Sequence, residues 1–251
     1  MQARRVPAAR GWAWIVEGFR LYRRNPPLLT SLTLAYLLLV VVTNLIPRVG
    51  PFVSPLLLPL LTVLVANGCR ALDQGGGLRP GVLTAGLSEH RLALFKLGGL
   101  QLLAALLVLA VFAMWQGGDI SATDMNTLDE EAALNAMARL LVVALPVAWA
   151  FWFAPLLTAW DGLPALKSLF FSIVAARRNW RAFAVYALGV ALVGVILPGV
   201  VMLVAGLISK SLLTVLAVAM RMLMLFTLAP ILMASLYLSY RDVFGEAQRD
   251  E

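Results

Sequence analysis

Six long runs without a charged residue dominate the pattern of hydrophobic and polar positions along the chain. They cover residues 25–47, 49–69, 97–118, 140–160, 182–209 and 222–240. Each is close to or longer than the roughly 20 residues with which an α-helix crosses about 30 Å of hydrocarbon. We therefore predict an all-α, polytopic membrane bundle with six transmembrane helices. The last helix becomes longer if it begins near Ser211 and includes Arg221.

Short sequence elements recur at matching places around these runs. Arg23-Arg24-Asn25 leads into the first run and Arg177-Arg178-Asn179 into the fifth, while Pro59, Pro155 and Pro230 begin similar elements in the second, fourth and sixth. Such self-similarity is typical of repeat architectures. We predict one integral membrane domain, residues 1–251, built from three hairpin repeats at about residues 11–72, 79–160 and 161–240. Each hairpin enters and returns, so the three are parallel and related by an axis along the membrane normal.

A basic amphipathic segment precedes each predicted hairpin, most weakly the middle one, which begins near Arg79-Pro80. The first segment has an apolar face with helical spacing, formed by Trp12, Ile15, Phe19 and Tyr22. In the third segment, Asp161 is a candidate helix cap and the apolar face consists of Leu166, Leu169, Phe170, Ile173 and Val174. This pattern predicts helices in the cytoplasmic interface of the membrane. Their basic residues should face lipid phosphates: Arg20, Arg23, Arg24, Arg177, Arg178 and Arg181.

Composition and charge favour the same interpretation. Hydrophobic residues make up 61% of the chain and charged residues 13%, against about 45–50% and about 25% in soluble domains. Sixteen of the 20 Lys and Arg lie on the side of the termini, and only Arg48, Arg139 and Lys210 lie in the opposite loops. The positive-inside rule then predicts a bacterial inner-membrane protein with both termini in the cytoplasm. The net charge of +7 indicates contact with anionic lipid headgroups, and because the cations are dispersed, no nucleic acid partner is expected.

Few residues in the chain are suited to catalysis or metal binding. One cysteine, Cys69, and one histidine, His90, exclude an intrachain disulfide and a zinc site with several thiolate or imidazole ligands. We expect no catalytic residue, metal or cofactor, a small apolar role for Cys69, and an interhelical hydrogen bond from Asn67. Prolines in the spans should kink helices and free carbonyls. Tryptophans near span ends predict an interfacial belt: Trp12, Trp14, Trp115, Trp160 and Trp180.

Arg221 breaks the regular pattern because it lies within an otherwise uncharged stretch. A cation in a membrane span costs about 2.5–3.5 kcal/mol at mid-depth, so it usually meets a partner or a wet cavity. The alternatives are a carbonyl, Asn44, an outer-loop carboxylate such as Asp119, a bound anion, or extension of the side chain to the interface. Arg221 is therefore the candidate ligand or lipid contact.

Two further segments carry a resemblance to known proteins. Residues 4–12 read Arg-Arg-Val-Pro-Ala-Ala-Arg-Gly-Trp, and Phe153-Ala154-Pro155-Leu156 is followed by Ala165-Leu166-Lys167 and Arg178-Asn179-Trp180. With these the chain resembles, over its whole length, a family of uncharacterised six-helix inner-membrane proteins of proteobacteria. It is more distantly similar to the membrane domain fused to some glycerophosphodiester phosphodiesterases. Their chemistry belongs to a separate soluble domain, so the resemblance implies a fold and no activity.

Two functional hypotheses follow. The first is a non-enzymatic inner-membrane protein that organises or regulates membrane partners or lipids, with a membrane protein or a second copy of itself as candidate partner. The alternative is a transporter or lipid-handling protein with an anion or lipid contact at Arg221.

Overall fold

The computed structural model describes residues 3–76, 80–115 and 130–245. Over these residues the chain is helical and contains no strand. The helices are α1 (Arg10–Arg24), α2 (Pro26–Asn44), α3 (Gly50–Asp73), α4 (Pro80–Leu83), α5 (Arg91–Trp115), α6 (Glu130–Trp152), α7 (Ala154–Trp160), α8 (Ala165–Arg178), α9 (Trp180–Ala191), α10 (Leu197–Ile208), α11 (Lys210–Leu223) and α12 (Ala229–Phe244). Two π-helical turns, Leu192–Ile196 and Met224–Leu228, join α9 to α10 and α11 to α12.

Six of these helical stretches are long and apolar enough to cross a membrane, which confirms the predicted number of spans in the described part of the chain. They are Pro26–Asn44, Gly50–Asp73, Arg91–Trp115, Leu134–Trp160, Trp180–Ile208 and Lys210–Phe244. The last span begins at Lys210 and includes Arg221, in agreement with the longer of the two alternatives.

The first helix is packed into the bundle along one face. Trp14, Ile15 and Leu21 are buried where α1 contacts α9 and α12. Glycines permit this close approach: a Cβ on Gly11 would lie 2.0 Å from the carbonyl oxygen of Ala182. Apolar residues at the margin of this face are partly exposed, with Trp12 44% and Phe19 43% exposed. The predicted apolar face therefore divides into a packed part at Ile15 and a partly exposed margin.

The fourth span is broken at Phe153. The Ser172 hydroxyl of α8 accepts from the Phe153 N–H at 3.0 Å and donates to the Trp149 carbonyl at 3.0 Å, so it stands between two groups that bond directly in a regular helix. Pro155 follows at the start of α7 and contributes no amide of its own. The break and the proline redirect α7 into the core, where α7 packs on α3 and α8.

A proline follows each π-helical turn in the fifth and sixth spans, Pro198 in one and Pro230 in the other. Because Pro230 lacks an N–H, it cannot bond to the carbonyl of Phe226 four residues earlier. That carbonyl instead accepts hydrogen bonds from the Tyr22 hydroxyl at 3.1 Å and the Thr30 hydroxyl at 3.0 Å. Pro230 therefore frees a carbonyl that neighbouring helices satisfy, as expected.

One local prediction was wrong and a second was confirmed only in part. Asp161 does not cap α8: the helix begins at Ala165 without a side-chain cap, and Gly162, with φ +63°, turns the chain before it. The predicted short helix before the third span begins at Pro80 but ends after the single turn α4, and the chain from there to His90 consists of turns. Arg79 lies outside the described residues. In α8, small residues such as Ser168 and Ala175 face the bundle. Most of its predicted apolar face is exposed: Leu166, Phe170, Ile173 and Val174. The hairpin repeat and the interfacial position of α1 and α8 stay predictions.

Candidate functional site

Charged and aromatic side chains converge where α3, α7 and α12 end, beside the start of α1. We call this the polar end of the bundle. Its polar cluster contains four cations and four carboxylates, together with aromatic hydrogen-bond donors. The charged members are Arg10, Arg24, Arg70, Arg241, Glu17, Asp73, Asp161 and Asp242.

Asp242 joins the C-terminal end of α12 to α1. Its carboxylate accepts from the indole N–H of the fully buried Trp14 at 2.8 Å and from the Arg10 guanidinium, whose Nε lies 2.7 Å away. Arg10 also pairs with Glu17, two turns along α1, at 2.7 Å. The Asp242 side chain is only 13% exposed, so these bonds form in a weakly screened environment. They fix the start of α1 against α12.

Arg241 and Asp73 extend the network to α3. The Arg241 guanidinium donates to Asp73 at 2.8 Å and to Glu17 at 3.1 Å, so a single side chain joins three helices. Asp73 also accepts from the Tyr237 hydroxyl at 2.9 Å. Arg24, at the end of α1, donates to the carbonyls of Leu72 and Asp73 at 3.2 and 3.3 Å.

A second group of contacts attaches α7 and the α4 turn. The Trp160 indole donates to the Asn67 side chain at 2.8 Å, and Asn67 donates to the carbonyls of Leu83 and Ala85. The predicted interhelical role of Asn67 is thereby confirmed. The Arg70 guanidinium lies over the Trp160 ring, 5.0 Å from its centroid, a distance typical of cation–π contacts.

Asp161 follows α7 and faces α12, where its carboxylate accepts a short hydrogen bond from the Tyr240 hydroxyl. Burial raises the pKa of Asp161 above its ordinary value, although the Tyr240 hydrogen bond and the charge of Arg70 act in the opposite direction.

The N-terminal segment is held across the bundle by Asn179. This buried side chain accepts from the Val6 N–H at 2.8 Å and donates to the Arg4 carbonyl at 2.9 Å. The Arg4 N–H in turn donates to the carbonyl of Val243 at 3.0 Å. Asn25, the counterpart of Asn179 in the sequence repeat, instead caps α2 by accepting from the Leu28 N–H. The same residue type therefore has a tertiary role in one place and a local role in the other.

Cavities open at the polar end among the residues of the polar cluster. One, of about 280 Å³, is lined by Arg70, Asp73, Gln74, Trp160, Asp161, Tyr237, Tyr240, Arg241 and Gly245. Another, of about 630 Å³, is lined by Arg4, Arg5, Val6, Pro7, Arg10, Asp73, Arg241, Asp242 and Gly245. Because carboxylates and guanidinium groups pair throughout this region, its chemistry suits holding helices together. Among the described residues, no group of three or more His, Cys, Asp or Glu is arranged to hold a metal ion.

The six arginines predicted to face the leaflet are all exposed, on α1, at the end of α8 and at the start of α9. Arg23 lies over the Phe19 ring and Arg181 over the Trp180 ring, at 5.9 and 5.6 Å from the centroids. Arg24 is also exposed but joins the polar cluster.

Arg221 is exposed in a groove of about 500 Å³ between α10 and the sixth span. The other lining residues are Met202, Ala217, Met220, Met224, Leu225 and Ala229. Among the described residues, its guanidinium has no ion pair or hydrogen-bond partner. The side-chain amide of Asn44, one of the expected partners, donates to the Val40 carbonyl of its own helix. Asp119 lies outside the described residues.

We did not predict the carboxylates of the polar cluster from the sequence, although three of them recur at equivalent positions in it. Asp73, Asp161 and Asp242 each lie at the end of the second span of a predicted repeat, so three acidic residues recur in equivalent places. Trp14 and Trp160, two tryptophans of the predicted interfacial belt, both donate hydrogen bonds inside the protein. Cys69 is buried and free, consistent with its expected role as an apolar residue.

A curated relative now places this architecture in a family. A probable inner membrane protein of Burkholderia thailandensis is 33% identical to the chain over 258 residues, covering 98% of this chain and 94% of the relative. The chain belongs to the same family. Together with the six apolar spans, the relationship makes it a multi-pass inner-membrane protein. No protein-family model matches the chain, and no solved structure matches it.

Proposed function

We propose that this inner-membrane protein is a non-enzymatic organiser of membrane lipids, which holds anionic headgroups against the polar end of its bundle. The observation that carries the proposal is the exposure of Arg20, Arg23, Arg177, Arg178 and Arg181 on helices whose opposite faces are fixed in the core. A basic residue near an anionic leaflet contributes about 1 kcal/mol of attraction. A fixed array of five therefore favours anionic lipids over zwitterionic ones.

Exposed apolar side chains next to these arginines support the proposal. Trp12 and Phe19 on α1, and Leu166 and Phe170 on α8, are exposed at the surface of the bundle. A helix that combines outward apolar and basic residues suits the boundary between acyl chains and headgroups. In this proposal α1 and α8 lie at that boundary, and the polar cluster holds α1 there through Arg10, Arg24 and Glu17.

Orientation and repetition belong to the same proposal. The excess of Lys and Arg around the termini supports a cytoplasmic location of the polar end. In this proposal the three hairpins have the same orientation, and the second span of each ends beside a carboxylate at the polar end. A second copy or another membrane protein at the polar end is the candidate partner; such a partner would meet the same basic surface.

Lipid retention measured by native mass spectrometry tests the proposal. The protein is purified from membranes containing phosphatidylglycerol and phosphatidylcholine, as wild type and with Arg177, Arg178 and Arg181 changed to Gln. The matched control replaces Arg48, Arg139 and Lys210, the three cations on the opposite side. We expect about a fivefold loss of phosphatidylglycerol affinity per arginine in the first variant and little change in the control. Equal retention by both variants would refute the proposal.

The second candidate function is lipid handling at Arg221. The observation that favours it is a guanidinium without a protein partner among the described residues, beside an apolar groove. An anionic lipid is the partner that a membrane supplies for such a group. Loss of a specifically bound anionic lipid from an Arg221→Gln variant, with the basic end intact, would distinguish this function from the first.

A further inference from the structure

A second apolar cavity adjoins the Arg221 groove at the fork between the fifth and sixth spans. It has a volume of about 340 Å³ and reaches the exposed Phe19 ring of α1. Met220 and Met224 line both this cavity and the Arg221 groove, so the two spaces are neighbours. Methionine side chains adapt to irregular apolar ligands, which suits acyl chains better than a ligand of fixed shape.

The two π-helical turns lie beside this fork. A Cβ on Gly194, in the first turn, would lie 3.2 Å from the Leu228 side chain in the second, so the turns face one another. Such turns interrupt regular helix packing and occur frequently at functional sites. The cavity lining includes Val193 and Thr227, one from each turn.

The position of Arg221 along the helix identifies the ligand's charged end. Arg221 and Arg241 are 20 residues apart, which corresponds to about 30 Å along a helix axis, the thickness of the hydrocarbon core. With Arg241 at the polar end, Arg221 therefore lies near the opposite boundary of the hydrocarbon. Because the span continues past Arg221 to Lys210, Arg221 lies inside that boundary, in the half of the hydrocarbon opposite the polar end. A guanidinium there favours an anionic partner.

We infer that the fork between the fifth and sixth spans binds one anionic phospholipid from the leaflet opposite the polar end. Its phosphate pairs with Arg221, and an acyl chain runs past Met224 into the cavity beside Thr227. The direction is consistent, since Met224 and Thr227 follow Arg221 towards the polar end of the same span. The inference rests on the second candidate function and is independent of lipid binding by the basic end.

Native mass spectrometry with titrated lipid tests the site in a variant whose Arg20, Arg23, Arg177, Arg178 and Arg181 are Gln, so that the basic end contributes little. We expect Arg221→Gln to weaken phosphatidylglycerol binding about tenfold, the loss typical of one charge-assisted hydrogen bond. Arg221→Lys and the matched control Lys210→Gln should bind within about twofold of the parent. Leu197→Trp, which fills the cavity from its exposed side, should weaken binding, whereas Val200→Trp, equally exposed but outside the lining, should not.

Two further probes separate the sources of the signal. Phosphatidylcholine with the same acyl chains should bind more weakly than phosphatidylglycerol, and inorganic phosphate should not compete. Competition by phosphate alone would reduce the site to an anion site without a chain groove and overturn the inference. Equal binding of the two lipids, or an Arg221→Gln variant that binds as the parent does, would also overturn it. Each of these three results would leave the proposed function of the basic end standing.

Discussion

The Tyr22 hydroxyl donates a hydrogen bond to the carbonyl of Phe226, the carbonyl that Pro230 leaves without its helical partner. Thr30 donates to the same oxygen, so two helices supply what the sixth span lacks. We predict that Tyr22→Phe or Thr30→Val alone costs little, because one donor remains. The double variant leaves a carbonyl unsatisfied and should lose about 1–3 kcal/mol, measured by thermal or denaturant unfolding in detergent.

Replacement of Pro230 provides a control for this prediction. Pro230→Ala restores an amide that can bond to Phe226, so the double variant should be tolerated better in that background. Equal losses with Pro230 and with Ala at position 230 would show that the two hydroxyl groups act elsewhere.

Asn179 should matter more to the N-terminal segment than its sequence counterpart Asn25. Asn179→Ala removes the side chain that binds Val6 and Arg4, so trypsin should cut after Arg4 and Arg5 several-fold faster. Asn25→Ala removes only a helix cap, worth about 1 kcal/mol, and should leave these cleavage rates unchanged. Limited proteolysis with mass spectrometry measures both. Similar rates in the two variants would contradict the tertiary role of Asn179.

Removal of the Asp242 carboxylate should destabilise the polar end. Asp242→Ala leaves the buried Trp14 indole N–H without its acceptor and Arg10 without one of its two carboxylates, so we expect a loss of about 1–3 kcal/mol. Asp242→Asn, which keeps an acceptor oxygen, should fall between this variant and wild type. Glu89→Ala, at an exposed position, is the control and should melt as wild type does. An Asp242→Ala protein as stable as the control would contradict the packing described for α1.

Asp161 should make stability depend on pH. Because burial raises its pKa in the folded protein above the unfolded value, the ionised form is disfavoured on folding. Its contribution to stability therefore improves as the pH falls through the raised folded pKa towards the ordinary value of about 4. Asp161→Asn should be more stable than wild type above this window, and the difference should shrink as the pH is lowered through it. Melting temperatures across the range measure the difference; a difference that grows on acidification would contradict the sign.

The spans were predictable from the sequence because length and hydropathy alone determine which segments cross a membrane. Arg221 could also be identified as a candidate contact residue, since the sequence alone shows an isolated cation among apolar residues. The polar cluster was not, because the pairing of Asp242 with Trp14 depends on how α1 packs against α12, some 228 positions away. The break at Phe153 was hidden for the same reason: Ser172 looks like an ordinary helical serine until α8 is placed beside the fourth span.

Side-specific thiol labelling in intact cells tests the central claim that the polar end faces the cytoplasm and presents its arginines to that leaflet. The single native cysteine, Cys69, is buried and gives little background. Cysteines replace the exposed Ser88, near the polar end, and the exposed Ser211, near the turn between α10 and α11. The account predicts that a membrane-impermeant maleimide labels Ser211→Cys in cells with a permeabilised outer membrane, and labels Ser88→Cys only after the inner membrane is opened. The reverse pattern would contradict it.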